Sequence, residues 1–242
     1  LSRLFNGRTF HENRKSWFGS SKIHSKISDM KNVKLKICGM KYPENIKEIS
    51  TLNPDYLGFI FWEKSSRNMT LDSIPKLLET TKKVGVFVDA SIQEIAAKIN
   101  QYQLEIIQLH GNESVIYCKN VKKLGVEVIK VFSIEDKFDF TTIKEYVLFV
   151  DYFLFDTKGK LPGGNGITFD WKIVENYPYE KTFFLSGGIG KTEVDAIKDF
   201  FKTDAAKKCI AIDVNSRFET KPAYKSEIKL RKFKKLLYEN EI

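Results

Sequence analysis

The chain has little cysteine and no long apolar run. Of its 242 residues only three are cysteines, Cys38, Cys118 and Cys209. Such wide, unrelated spacings give neither a disulfide framework nor a zinc pattern, so no metal site is expected. Reduced thiols fit a cytosol-like compartment, and a cytoplasmic location is expected. No stretch of 18 apolar residues occurs, so no membrane partner is expected. The amino-terminal region lacks the apolar core of a secretory signal. A dinucleotide fingerprint is missing too. The segment "GKLPGGNGITFD" has the glycines but neither their spacing nor their place directly after a strand.

Charge is present in excess of one sign, with a net value of +9. Such a balance raises the possibility of a nucleic-acid partner. Its distribution argues against one. Residues 1–29 hold six Lys or Arg and two acids, which accounts for +4. The remaining +5 is spread along the helices of the body. No nucleic-acid partner is expected, and an anionic small substrate suits a mildly basic protein equally well.

Residues 1–29 show no sustained period of 2 or 3.6 and are rich in Ser, Arg and Lys. That composition resembles a transit peptide. Met30, however, stands directly before "KNVKLKICG", where a first strand is expected. The segment is therefore read as a dispensable extension, disordered or not native to the protein, with a targeting role as the alternative.

From residue 30 to residue 242 the chain alternates strand-like and helix-like segments. Strands are expected at 34–38, 56–61, 83–88, 105–110, 127–132, 147–156, 182–186 and 209–214. Helices are expected at 43–52, 71–81, 91–102, 112–124, in a weaker stretch ending near Tyr146, and at 169–176, 191–201 and 225–240. Ser91 and Glu94 have the spacing of a capping box. The strands are nearly continuous apolar runs, as parallel strands covered on both faces are. A hydrophobic content of 42% is enough for one sizeable core. Eight strand–helix pairs predict an α/β fold, a single closed (β/α)8 TIM barrel, with an open doubly wound sheet as runner-up.

In such barrels chemistry sits where strands end and helices begin. Those positions hold Cys38 ending strand one, Arg67 after strand two, His110 ending strand four and Asp156 ending strand six. Ser186, Gly187 and Gly188 follow strand seven, and Asp213, Asn215 and Ser216 end strand eight. Each has a bland reading: a buried thiol, a solvated guanidinium, a loop-capping imidazole. Asp89, after strand three, is read only as a turn or cap residue. Paired glycines in "LSGGIGKTE", followed by "IDVNSRFE", let backbone N–H groups approach an anion, a pattern that suits phosphate.

Seven pieces fall in one family's order: "KICGM", "DYLGFIFWEKSSRN", "VGVFVD", "IIQLHG", "FLFDTKGKLPGGNGITFDW", "LSGGIG" and "DVNSRFE". On these, residues from about 34 to 240 resemble the phosphoribosylanthranilate isomerases of tryptophan biosynthesis. The resemblance implies a cofactor-free Amadori rearrangement of a phosphosugar substrate, with Cys38 as general base and Asp156 as general acid. It implies that Arg67 meets the anthranilate carboxylate and that Gly187, Gly188, Asn215 and Ser216 hold the phosphate; His110 and Asp213, at the same strand ends, are expected to contact substrate. Arg217 departs from the family, where many members have Gly, and the segment 160–162 is longer than usual. An indole-glycerol-phosphate synthase would call for a lysine and glutamate set in place of Cys38 and Asp156. A non-catalytic phosphate module would not need that pair. Nothing in the sequence specifies an oligomeric state.

Overall fold

A computed structural model of the chain describes residues 33–135, 137–157 and 171–238. The expectations for residues 1–29 and for the glycine-rich segment lie outside them. Eight parallel strands close into a barrel in sequence order: β1 (Lys34–Ile37), β2 (Tyr56–Phe61), β3 (Lys82–Phe87), β4 (Ile106–Leu109), β5 (Glu127–Ile134), β6 (Tyr152–Thr157), β7 (Phe183–Leu185) and β8 (Cys209–Val214). The open sheet is thereby excluded, because β1 pairs with β8 from Lys34↔Ala211 to Ile37↔Val214.

Alternation within the strands sorts side chains into two cores. Tyr56, Val84, Ile106, Ile129, Leu154, Phe184 and Ala211 fill the barrel interior. Leu35, Ile37, Leu57, Phe59, Ile107, Phe153 and Ile212, one residue out of phase with these along their strands, join the outer cluster. The outer layer includes α1 (Pro43–Ser50), α2 (Ile92–Tyr102), α3 (Val115–Lys122), α4 (Val194–Phe200) and α5 (Glu227–Tyr238). Pro43 opens α1, where a missing N–H costs nothing. Ser91 and Ser114 cap α2 and α3 by accepting the Glu94 and Tyr117 N–H groups. Leu230, Phe233 and Leu237 make the buried stripe of α5.

The structure corrects the sequence reading in several places. Residues 71–81 form no helix. Pro75 lacks an N–H and would clash with the carbonyl four residues back. The carbonyls of Leu71 and Asp72 accept instead from Tyr102 and Gln101 of α2. Leu71, Ile74 and Leu77 still pack on the core as an irregular strap. Val147 and Leu148, read as strand, end a 3-10 helix at Phe140–Leu148, and β6 begins only at Tyr152. Residues 171–176 are also 3-10, and 191–201 splits into a 3-10 turn followed by α4. Finally, the segment before α5 contains an unexpected hairpin of β9 (Glu219–Lys221) and β10 (Tyr224–Lys225).

Phe184 lies inside the barrel, its ring 5.2 Å from that of Tyr56 and 5.5 Å from that of Tyr152. Phe184→Ala is expected to lower stability by about 3–5 kcal/mol, the cost of a large buried cavity. Equilibrium unfolding in urea measures it, and a loss below about 1 kcal/mol would mean that the interior collapses around the gap.

Candidate active site

Two residues above the aromatic interior, the inward positions change character. Lys36 on β1, Gln108 on β4 and Asp213 on β8 are buried polar residues in otherwise apolar strands. One further alternation brings Cys38, His110 and Asp156 to the carboxyl ends of their strands. Cys38, Arg67, His110, Asp156, Asp213 and Asn215 line one narrow cavity of about 40 Å³, together with Trp62, Gln108 and Ser186. Gly187, Gly188 and Ser216 are not lining residues, but each lies in the turn next to one that is. Both glycines have left-handed φ, 94° and 62°, which a side chain would disfavour. Arg217 is exposed. Asp89 lies in the bend after β3 and caps no helix, since Ser91 caps α2; its Oδ1 accepts the Asn112 N–H at 2.7 Å.

Cys38 continues β1, donating its N–H to the Val214 carbonyl at 2.9 Å. Gly58 on β2 makes room for the thiol, since a Cβ there would lie 2.7 Å from Cys38 Sγ. Burial pushes the Cys38 thiol above its ordinary pKa, and Asp213 adds to that rise. The Lys36 and Lys225 ammonium groups oppose it. Lys36 itself is wholly buried and donates to Asp213 Oδ1 at 2.9 Å. Burial works against its charge, yet Asp213, and then Cys38, hold its pKa above the usual lysine value. Burial pushes the Asp213 carboxyl up against the pull of Lys36.

Across the ring, His110 Nε2 lies 3.4 Å from Asp156 Oδ2. His110 is the only histidine among the described residues. Gln108 Oε1 is buried with no hydrogen-bond partner among the described residues. Arg67 is not a free surface charge. Its Nε and Nη2 donate to Glu219 at 2.8 and 2.7 Å. Glu219 also accepts from the buried Lys225 at 2.6 Å.

Three of these residues, Lys36, Glu219 and Lys225, were missed by the sequence reading. Lys36 did leave a signal: a lysine two places before Cys38 in a short apolar strand shares its face. Glu219 and Lys225 left none, because their place depends on the hairpin. Among the described residues, no cluster of three His, Cys, Asp or Glu side chains is arranged to hold a metal ion. No described helix is long and apolar enough to cross a membrane.

A family model described as N-(5'phosphoribosyl)anthranilate (PRA) isomerase matches residues 35–235. The chain belongs to this isomerase family. It is 42% identical to the N-(5'-phosphoribosyl)anthranilate isomerase of Parabacteroides distasonis over 206 residues, which cover 82% of this chain and 90% of that protein. The crystal structure of phosphoribosyl anthranilate isomerase from Thermotoga maritima superposes with a TM-score of 0.73 at 29% identity, covering 85% of this chain and 98% of that one. A second isomerase crystal structure, in complex with reduced 1-(o-carboxyphenylamino)-1-deoxyribulose 5-phosphate, superposes at 0.69 with 26% identity and the same coverage. The isomerase barrel thus accounts for nearly all the described residues.

A buried thiol with a raised pKa reacts slowly, because the thiolate is the nucleophile. Iodoacetamide is expected to label Cys38 at pH 8 at least about tenfold more slowly than in the urea-denatured chain, with a rate that climbs as pH rises. Peptide mass spectrometry follows the modification. Labelling as fast as in the unfolded chain would mean that the thiol is open to solvent and ionised.

Proposed function

We propose that this chain catalyses the Amadori rearrangement of N-(5-phosphoribosyl)anthranilate to 1-(2-carboxyphenylamino)-1-deoxyribulose 5-phosphate. The observation that carries the reading is the gathering of Cys38, Arg67, His110, Asp156 and Asp213 in one cavity at the carboxyl ends of the strands. They lie directly after β1 and β4, on β6 and β8 and in the loop after β2, and they fall within the family match.

The reaction moves hydrogens within one molecule and needs no external oxidant or reductant, so acid–base groups suffice. Asp156 is assigned the acid. It gives its proton to the furanose ring oxygen as the bond from that oxygen to C1 breaks, leaving a protonated imine between C1 and the anthranilate nitrogen. Cys38 is assigned the base, removing the C2 proton to give an enolamine. A proton then returns to C1, and the C2 hydroxyl loses its own to become the ketone. The two groups stand on β6 and at the end of β1, well separated around the ring, as attack on two sides of one sugar requires. Acid–base steps of this kind contribute about 10² to 10⁴-fold each.

Lys36 has a stated part in this reading. Its ammonium opposes the rise that burial gives the Cys38 thiol, which favours the thiolate that a base requires. His110, beside Asp156, and Asp213, paired to Lys36, are assigned to the substrate's ring and hydroxyls. Arg67 is assigned to the anthranilate carboxylate. The turns Gly187–Gly188 and Asn215–Ser216 supply backbone N–H groups to the phosphate, which the glycines' missing side chains let come close. Three free, buried thiols suit a reducing, cytoplasmic setting.

Cys38→Ser is expected to cut turnover of N-(5-phosphoribosyl)anthranilate by about 10² or more with the melting temperature little changed, since a hydroxyl is a far poorer base. Wild-type kcat in the purified variant would remove Cys38 from the base role.

Asp156→Asn keeps the shape and loses the acidic proton. Its kcat is expected to collapse while affinity for the reduced product analogue stays within a few-fold, with kinetics and inhibitor titration run on the same preparation. The opposite pattern, near-normal kcat with weak inhibitor binding, would make Asp156 a ligand contact only.

A further inference from the structure

The hairpin after the eighth strand spends unusual resources on two side chains that do not line the cavity. Glu219 opens β9. Its Oε1 accepts from Arg67 Nε at 2.8 Å, from Lys225 Nζ at 2.6 Å and from the Ala223 N–H at 3.1 Å. Its Oε2 accepts from Arg67 Nη2 at 2.7 Å. A carboxylate so filled has little capacity left for a substrate. Ala223 reaches it from the hairpin turn with φ at +66°, in the left-handed region, although it carries a Cβ and is fully buried. Such a conformation persists only where its surroundings over-determine it.

The cluster also runs in the other direction. Lys225 Nζ donates to Asn215 Oδ1 at 2.6 Å, and Asn215 lines the cavity in the turn after β8. The backbone of Lys225 is held at both groups by one buried side chain. Its N–H donates to Asn45 Oδ1 at 2.7 Å, and its carbonyl accepts from Asn45 Nδ2 at 2.8 Å. Gly39 completes the arrangement: a Cβ there would come within 2.8 Å of both Arg67 Cδ and Asn215 Oδ1. The arginine stem and the asparagine amide therefore converge on one glycine.

The pairing with Arg67 uses the side edge of the guanidinium, made of Nε and Nη2. Three of its five N–H groups remain, spread over Nη1 and Nη2, which together form the end edge. That edge can hold a planar carboxylate in a bidentate pair. An unclamped arginine has several rotatable bonds to order before it can bind this way, and ordering costs affinity. Burial of Lys225 lowers its pKa to about 8 even beside Glu219, so the network keeps a charge where solvation does not favour one. Buried ionic groups of this kind are expensive and are often replaceable by apolar ones without loss of stability.

We propose that Glu219 is a positioning residue that presents the end edge of Arg67 to the substrate's carboxylate, with Lys225 tying this clamp to the Asn215 turn at the phosphate end. The proposal rests on the reading of Arg67 given above and deepens it. The clamp links the two anionic ends of one ligand through four side chains, and so selects an arylamine that carries a carboxylate in the ring plane.

The test is a double-mutant cycle on the full chain: wild type, Glu219→Gln, Arg67→Ala and the double variant, with KM and kcat for N-(5-phosphoribosyl)anthranilate and the affinity for anthranilate itself. Glu219→Gln is expected to raise KM and weaken anthranilate by about tenfold, with kcat changing much less, while in the Arg67→Ala background it changes either by no more than about twofold. An equal loss in both backgrounds overturns the clamp, because a merely structural glutamate costs the same with or without its arginine. No loss in the single variant overturns it too. If Glu219→Gln does not fold, the same cycle with Glu219→Asp decides, since the shorter carboxylate keeps a charge for Lys225 but withdraws from the guanidinium. A wild-type chain that neither turns over this substrate nor binds anthranilate removes the reading of Arg67 and the clamp with it. A wild-type chain that does both, with additive losses, removes the clamp alone.

Discussion

The buried ion pair between Lys36 and Asp213 stands on the seam where the barrel closes. The two are register partners on the first and last strands, 177 residues apart in sequence and 2.9 Å apart in space. Neither charge is tolerable there alone, because an unpaired ion in a dry interior carries a large desolvation penalty. A slip of one residue between β1 and β8 would turn one partner to the outer core and strand the other. The pair thus penalises wrong closures more than it rewards the right one. It also brings an ammonium to Cys38, so the same contact serves register and thiol electrostatics.

From that seam the barrel divides into two ends. The lower interior is apolar and aromatic, filled by residues such as Tyr56, Ile106 and Phe184. The upper interior is polar, and its titratable groups occur in sets. Lys36 goes with Asp213, His110 with Asp156, and Arg67 and Lys225 share Glu219. In the proposed function, strands and their ends hold the groups assigned to acid–base chemistry, loops hold those assigned to a ligand's ends, and the hairpin braces Arg67 from behind. This arrangement suits acid–base chemistry, which depends on small errors in position being prevented by the scaffold.

The irregular parts of the outer layer follow from local chemistry. Pro75 prevents a helix between β2 and β3, and α2 supplies side-chain donors to the carbonyls left without partners. The strap still buries Leu71, Ile74 and Leu77. A layer needs apolar cover more than it needs a helix, so the barrel closes over a non-helical segment.

Much of this was readable along the chain. Apolar runs at eight places reported strands covered on both sides, and the residues that end them reported which side chains could meet at one mouth. Cys38, His110, Asp156 and Asp213 were found this way because strand ends are local features, and a closed barrel sends them all to one face. Helical periodicity misled at 71–81, where spacing suggested a helix and Pro75 decided otherwise. Val147 and Leu148 misled as well, since short apolar runs do not separate strand from tight helix. Glu219 and Lys225 carried no local signal at all. Their meaning comes from Arg67, 152 residues away from Glu219 in the chain, and from Asn45, 180 residues away from Lys225. Periodicity belongs to the chain, because each residue's neighbours set it. Pairing between buried charges belongs to the closed barrel, because only closure removes the water that would otherwise have solvated each of them.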